Sequence, residues 1–183
     1  IDNGKLRSTT DILTMNGWPN ASLVASALNF LHRFDHNQVL GFHKKMPNAA
    51  IIPAVKSMAN KVDINWLSKT VYKTSLNTRL KRSDLFCAFY LIAVKYGEDC
   101  LIEFSDKMNN GGDYSKSPTM VMTQIVARMQ AQGRVPHRAY YFTMLLRGFD
   151  RWLNDEEMNQ YREKSVVADI QKYSKKYNTY INW

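Results

Sequence analysis

The sequence has few of the residues that build cross-linked or irregular proteins. Its 183 residues include only 8 glycines, 5 prolines and 2 cysteines. So little glycine and proline excludes a collagen-like or low-complexity chain, and two cysteines exclude a disulfide scaffold. Cys87 and Cys100 belong to no Cys-x-x-Cys pair or Cys/His cluster. We therefore expect reduced thiols in a cytoplasmic protein.

Long apolar runs are also lacking. The longest, Leu85 to Val94, has about half of the ~20 residues that a membrane helix needs. It predicts a buried core helix and no membrane partner. The opening segment, Ile1-Asp2-Asn3-Gly4, lacks the basic and apolar regions of a signal peptide. Because the chain begins at Ile1 rather than Met, we expect it to be a piece of a longer protein.

Strand patterns are scarce as well. Apolar residues recur mostly at three- and four-residue spacing, which predicts an all-α fold, a single multi-helix orthogonal bundle of about seven or eight helices. No linker is long enough to split the chain, so residues 1–183 are predicted to form a single helical domain. Residues 1–163 would form its body, and 164–183 a C-terminal helix or tail. Helix starts are predicted near Ser8, Asn20 or Ser22, Pro47-Asn48, Asp63 or Asn65, Ser83, Glu98, Ser117-Pro118 and Pro136.

Recognisable catalytic motifs are missing. The sequence contains no GxGxxG, GxxxxGK[ST] or GxSxG. His32 and His36 are four residues apart, but a third metal ligand is undefined and the HExxH glutamate is absent. Glu103 and Asp106 could hold a divalent ion in a nuclease, yet such pairs are common on solvated helices. We expect no enzyme activity, no metal and no cofactor in this chain.

Acidic residues are outnumbered by basic ones, 16 to 25, which gives a net charge of +9. The excess is concentrated in residues 44–82, where Asp63 is the single acid. A block of this kind is often a solvated face. Without compensating acids it favours nucleic acid, double-stranded DNA ahead of RNA, through largely sequence-independent phosphate contacts. The predicted phosphate-binding residues are Lys44, Lys45, Lys56, Lys61, Lys69, Lys73, Arg79, Lys81 and Arg82.

A second basic and aromatic set follows later in the chain. Its members are Arg147, Arg151, Lys172, Lys175, Lys176, Tyr173 and Tyr177. Aromatic rings beside lysines could stack nucleic-acid bases, whereas tyrosines at helical spacing favour packing onto the body or onto a partner chain. Asp150 is expected to pair locally with one of the two arginines.

The order of several short motifs resembles a known family. Ile1-Asp2-Asn3-Gly4 and Arg7 are followed by Gly17 and Asn20, then by Ser117-Pro118, and later by Gly148-Phe149-Asp150-Arg151-Trp152. This succession, over most of residues 1–160, resembles the C-terminal helical half of phage and mobile-element proteins with a ParB/sulfiredoxin-like N-terminal domain. The DGQHR-type motif of that first domain, which lies shortly before an I-D-x-G-x-x-R segment, is absent here.

The resemblance implies a phage or plasmid protein that acts on DNA, located in the host cytoplasm if it is phage-encoded. It implies that the N-terminal ParB-like domain, where any catalysis would reside, lies outside this chain, and it transfers no catalytic residue. The predicted function is therefore that of a basic helical DNA-binding domain. The alternative is a protein-interaction or oligomerisation module, which would bind an acidic protein through the basic block or form a homo-oligomer through the Tyr173–Trp183 stripe.

Overall fold

The fold comes from a computed structural model, which describes residues 7–35, 46–74, 83–110, 118–134, 137–157 and 161–181. Within these ranges the regular structure is entirely helical, so the predicted all-α class is confirmed, with slightly more helices than expected. The α-helices are α1 (Thr9–Met15), α2 (Ala21–Asp35), α3 (Asn48–Lys61), α4 (Ile64–Thr74), α5 (Ser83–Tyr96), α6 (Glu98–Asn110), α7 (Pro118–Ala131), α8 (Arg138–Leu153) and α9 (Val166–Tyr177). Single 3₁₀ turns, Glu163–Ser165 and Asn178–Tyr180, flank α9.

Helix α5 lies at the centre of the bundle, where it packs against α2, α4, α6 and α8. Its side chains are buried from Asp84 to Ala93, as the apolar run predicted. The Cys87 thiol donates a hydrogen bond of 3.4 Å to the carbonyl of Ala27, and burial raises its pKa well above the ordinary value. Among the described helices, none is both long enough and apolar enough to cross a membrane.

Local sequence signals explain how the first helices begin and end. Ser8 caps α1 by a reciprocal pair of hydrogen bonds with Asp11, which satisfies backbone donors that the helix leaves without partners. Gly17 then ends this segment with a φ of +75°, a backbone conformation that costs glycine little. At α4 the Asp63 carboxylate accepts from the backbone amides of Asn65 and Trp66, so the predicted start there is confirmed.

The predicted start of α3 is confirmed, whereas that of α5 differs in detail. Helix α3 begins at Asn48 and continues through the exposed Pro53, because the missing N–H at that position leaves only the carbonyl of exposed Ala49 without a donor. Ser83 is the first residue of α5 rather than its cap. Its hydroxyl instead accepts from Arg138 at 2.6 Å, a contact between helices that local sequence does not reveal.

Aromatic rings of α8 fill the space between the other helices. Phe142 lies 4.9 Å, centre to centre, from both Phe30 and Phe34 of α2. About two turns further along α8, Phe149 packs edge-on against Phe104 and Tyr96. Such edge-to-face pairs add stabilisation beyond the area they bury. Helix α8 is therefore the second central helix, and α9 packs on its outer side.

Candidate nucleic-acid interface

The predicted basic block is described in part. Lys56 and Lys61 on α3, and Lys69 on α4, have exposed side chains. Within the described ranges, no carboxylate forms an ion pair with any of the three. For Lys73 only the helical backbone is described, and the other predicted phosphate-binding residues lie outside the described residues: Lys44, Lys45, Arg79, Lys81 and Arg82.

Lys61 connects this block to the C-terminal end of the chain. Its ammonium group donates a hydrogen bond of 3.2 Å to the backbone carbonyl of Tyr180, 119 residues away in sequence. Burial of part of the side chain lowers its pKa. The end of α3 therefore contacts the 3₁₀ turn that follows α9.

Lys95, in the last turn of α5, extends the contact. Its ammonium group lies 5.8, 5.7 and 5.9 Å from the ring centres of Tyr96, Tyr177 and Tyr180. At such distances the electron-rich faces of aromatic rings attract a cation. Lys95 could not be singled out from the sequence, because two of its three rings belong to residues more than 80 positions later.

Lys176 and Lys172 of α9 continue the same series of contacts. The Lys176 ammonium lies 5.4 Å from the centre of the Tyr96 ring and 5.5 Å from that of Tyr177, and it donates to Asp150 at 2.8 Å. Burial acts to lower the pKa of Lys176, but hydrogen bonds to Asp150 and Tyr96 outweigh it, so the pKa is raised. The Lys172 ammonium lies 3.7 Å from the other Asp150 oxygen. We call Lys61, Lys95, Lys172 and Lys176, with Tyr96, Tyr177 and Tyr180, the lysine–tyrosine strip.

The rings of Tyr173 and Tyr177 are fully buried, so packing onto the body is the interpretation that the structure confirms. Neither ring has a face free to stack on a nucleic-acid base, and that part of the predicted second set is wrong. The same burial removes the Tyr173–Tyr177 part of the stripe as a free oligomerisation surface, and Trp183 lies outside the described residues. The Tyr173 hydroxyl donates to Asp150 at 3.0 Å, and burial raises the pKa of both phenols.

The expected local pairing of Asp150 is also wrong. Asp150 contacts the two lysines and the tyrosine of α9 because α9 packs against the side of α8 from which this carboxylate projects. Arg147 instead pairs with buried Asp169 of α9 at 3.3 Å. Arg151 pairs with Glu156 at 3.5 Å and donates to the carbonyl of Glu157 at 3.1 Å. Each cation of the second set that the sequence placed on α8 thus has a partner outside α8.

A cleft of about 500 Å³ opens between α8 and α9. Four cations line it, with two carboxylates among them, so its net charge is +2. Tyr96 and Leu153 contribute the less polar part of the wall. We call this cavity the α8–α9 cleft; its charged residues are Arg147, Arg151, Lys172, Lys176, Asp150 and Glu156.

Among the residues that the structure describes, the remaining candidates form no comparable site. Lys175 is exposed, does not belong to the strip and does not line the cleft. A smaller cavity of about 280 Å³ beside α7 contains three arginines, of which Arg134 is ion-paired with Glu163. Glu103 and Asp106 are both exposed on α6, while His36 lies outside the described residues. Throughout the described ranges, no three histidine, cysteine or acidic side chains come together as a metal site would require.

Comparison with protein-family models, with curated proteins and with solved structures finds no match for this chain. The resemblance to the helical half of ParB-like phage proteins therefore stays a prediction from the sequence motifs. What can be argued about function rests on the charged residues described above.

Proposed function

We propose that the chain is a basic helical DNA-binding domain that contacts the phosphate backbone with little regard to sequence. The observation that carries the proposal is the lysine–tyrosine strip. It assembles ammonium groups from α3, α5 and α9 with Asp150 as their one carboxylate contact in the described ranges. Four lysines against one aspartate leave a local charge of +3.

The geometry suits a regularly charged polymer. Double-stranded DNA carries one negative charge for about every 1.7 Å of its axis, and each neutralised phosphate releases counterions. The ammonium groups of Lys95 and Lys176 stand over ring faces, which hold them in place. Exposed Lys56 and Lys69 of the basic block add further cations on α3 and α4. Because lysines bind phosphate as point charges, these contacts favour backbone binding.

The test is the affinity of the full chain for duplex DNA, measured by fluorescence anisotropy across a salt series. With six to ten phosphate contacts, affinity should fall by about a thousandfold or more between ~50 and ~200 mM salt. The paired substitution Lys61→Gln with Lys95→Gln should lower the steepness of the log–log salt dependence by about two, and Lys56→Gln with Lys69→Gln should do the same.

A matched control removes two positive charges elsewhere. Lys107→Gln on α6 combined with Lys164→Gln after α8 changes net charge equally but touches neither the strip nor the block. It should leave the salt dependence nearly unchanged. Absence of DNA binding at low salt, or equal losses in the control and the strip variant, would overturn the proposal. Tighter binding to polyglutamate than to DNA would point instead to an acidic protein partner.

The proposal includes the family resemblance as a second, separate prediction. If the chain belongs to a ParB-like phage or plasmid protein, the parent gene should encode a DGQHR-type motif upstream of the I-D-x-G-x-x-R segment that begins at Ile1. Sequencing upstream of this segment checks that prediction. Its failure would leave the DNA-binding proposal intact, because that proposal depends on the lysines alone.

A further inference from the structure

We propose that the α8–α9 cleft binds a terminal phosphate group carried on a nucleotide-sized molecule, with Arg147, Arg151 and Lys172 as its phosphate ligands. This site shares Lys172 with the lysine–tyrosine strip, but its two arginines do not belong to the strip. The inference goes beyond the proposed DNA binding and does not depend on it.

Two arginines of the cleft keep unused hydrogen-bond donors. In their described hydrogen bonds and ion pairs, Arg147 and Arg151 both use only the Nη1 nitrogen, the former toward Asp169 and the latter toward Glu156 and the Glu157 carbonyl. The Arg147 guanidinium also lies 5.8 Å from the centre of the Tyr161 ring, a contact that uses no N–H donor. A guanidinium group carries five N–H donors in a planar fork. The Nε and Nη2 donors of two arginines that line one cleft are thus not taken up by protein groups of the described ranges. Such forks match the oxygens of a phosphate group.

Lys172 also has donors that are available to a ligand. Its ammonium group lies 3.7 Å from Asp150, which is close enough for attraction but too long for a hydrogen bond, and its side chain is 60% exposed. Lys176 is different, because it already donates to the same carboxylate at 2.8 Å and is only 24% exposed. Lys172 can therefore turn its three donors toward a ligand without giving up a hydrogen bond.

The charge and the number of donors in the cleft suit a terminal phosphate. The four cations and two carboxylates that line it sum to +2, and Arg147 also pairs with buried Asp169 behind the wall, so the cleft stays positive. A phosphate monoester has three acceptor oxygens, one for each of Arg147, Arg151 and Lys172. A phosphodiester within a continuous strand offers two such oxygens, so the number of donors favours a terminal phosphate.

The volume of the cleft suits a molecule larger than inorganic phosphate. At about 500 Å³, the cleft falls within the range of roughly 300–1,000 Å³ that is usual for small-molecule sites. An inorganic phosphate alone would leave most of it filled with water. Leu153, which is 41% exposed, and the Tyr96 ring supply less polar surface at the wall for an organic group. Two sources offer this chemistry, a free mononucleotide and the phosphorylated end of a nucleic-acid strand.

The decisive experiment is isothermal titration calorimetry of the full chain with adenosine 5′-monophosphate, with adenosine and inorganic phosphate in parallel. Adenosine monophosphate should bind, adenosine should give no heat, and inorganic phosphate should bind about tenfold or more weakly. No binding of the monophosphate, or equal affinity for inorganic phosphate, would overturn the proposal.

A short oligonucleotide with a 5′-phosphate, compared with the same strand bearing a 5′-hydroxyl, then separates the two sources. Preference for the phosphorylated strand over the mononucleotide assigns the site to strand ends, and the reverse assigns it to a free nucleotide.

Three variants connect binding to the cleft. Arg151→Gln and Lys172→Gln should each weaken adenosine monophosphate binding by about tenfold, and both side chains are exposed enough for the fold to tolerate the change. Lys164→Gln, which removes a charge outside the cleft, should leave the affinity unchanged. Unchanged affinity in both cleft variants would contradict the proposal. The variant Lys61→Gln with Lys95→Gln should reduce duplex DNA binding but not nucleotide binding, so failure of one proposal is distinguishable from failure of the other.

Discussion

The ammonium groups of Lys95 and Lys176 lie 5.8 and 5.4 Å from the centre of the same ring, that of Tyr96. Each lysine stands in the last turn of its helix, α5 or α9, where the helix dipole concentrates negative partial charge. Two like charges are therefore held near each other by ring faces, by two helix ends and by the Asp150 carboxylate. These contacts offset part of the repulsion between the two ammonium groups.

Replacing Asp150 tests the balance of that surface. Asp150→Asn removes the negative charge to which Lys172, Lys176 and Tyr173 are bound. We expect the free energy of unfolding, measured by urea titration, to fall by about 1–3 kcal/mol. Duplex DNA should bind several-fold more tightly, because the lysines lose their competitor. Asp106 is exposed on α6, so Asp106→Asn is the control for loss of one negative charge. Weaker DNA binding by Asp150→Asn would contradict the proposed role of the strip.

The buried tyrosines predict instability at high pH. Burial raises the pKa of Tyr140 to about 12, and it raises the pKa of Tyr90, Tyr161, Tyr173 and Tyr177 as well. Because the unfolded chain releases these protons near pH 10 while the folded chain retains them, stability is fully present below about pH 10 and declines as pH rises above it.

Urea titrations at a series of alkaline pH values measure this decline. The five tyrosines named above should contribute to the tyrosinate ultraviolet absorbance only when the chain unfolds. Tyr173→Phe should reduce the alkaline slope, since one of the shifted groups is gone. A stability that is flat through this pH range would show that these phenols are open to water.

Arg138 stabilises the junction of α2, α5 and α8. It donates to the hydroxyls of Ser26 and Ser83, and its guanidinium lies 3.8 Å from the fully buried carboxylate of Asp84. Arg138→Met removes the guanidinium group, whose central carbon lies 5.0 Å from the centre of the Phe30 ring, and with it a cation that faces the Asp84 carboxylate. We expect the free energy of unfolding to fall by about 2–4 kcal/mol. This is less than for a fully buried ion pair, because the arginine is partly exposed. Arg128→Met on the exposed face of α7 should cost less than about 0.5 kcal/mol.

Helix α9 is predicted to be part of the folding unit. Its residues Val166, Ile170, Tyr173 and Tyr177 are buried in the common core. A chain that ends at Ser165 should therefore lose cooperative thermal unfolding, measured by circular dichroism, rather than change from dimer to monomer. If sedimentation shows a folded monomer for the shortened chain and a dimer for the full chain, α9 is an oligomerisation element instead. The point variant Tyr177→Ser, which leaves chain length unchanged, should destabilise the fold in the same direction.

Local signals were enough to predict most helices, while the site depended on packing. Ser8 with Asp11, and Asp63 before α4, predicted helix starts because caps act over three residues. The central position of α5 followed from its unbroken apolar run. Asp150 could not be assigned its partners, since they come from α9, and Lys95 was overlooked because Tyr177 and Tyr180 reach it only in the folded chain. Counting charges along the sequence located the basic residues, but it could not show which of them form ion pairs between helices and which stay exposed.

The different burial of the two cysteines makes them reporters of folding. Cys87 has no exposed surface and its thiol is hydrogen-bonded to Ala27, whereas Cys100 is partly exposed at the start of α6. A thiol reagent should modify Cys100 in the native protein and reach Cys87 only when α5 separates from α2. Without any engineered label, the rate at which the second thiol reacts measures how often the centre of the molecule opens, and a ligand that closes the bundle should slow that rate.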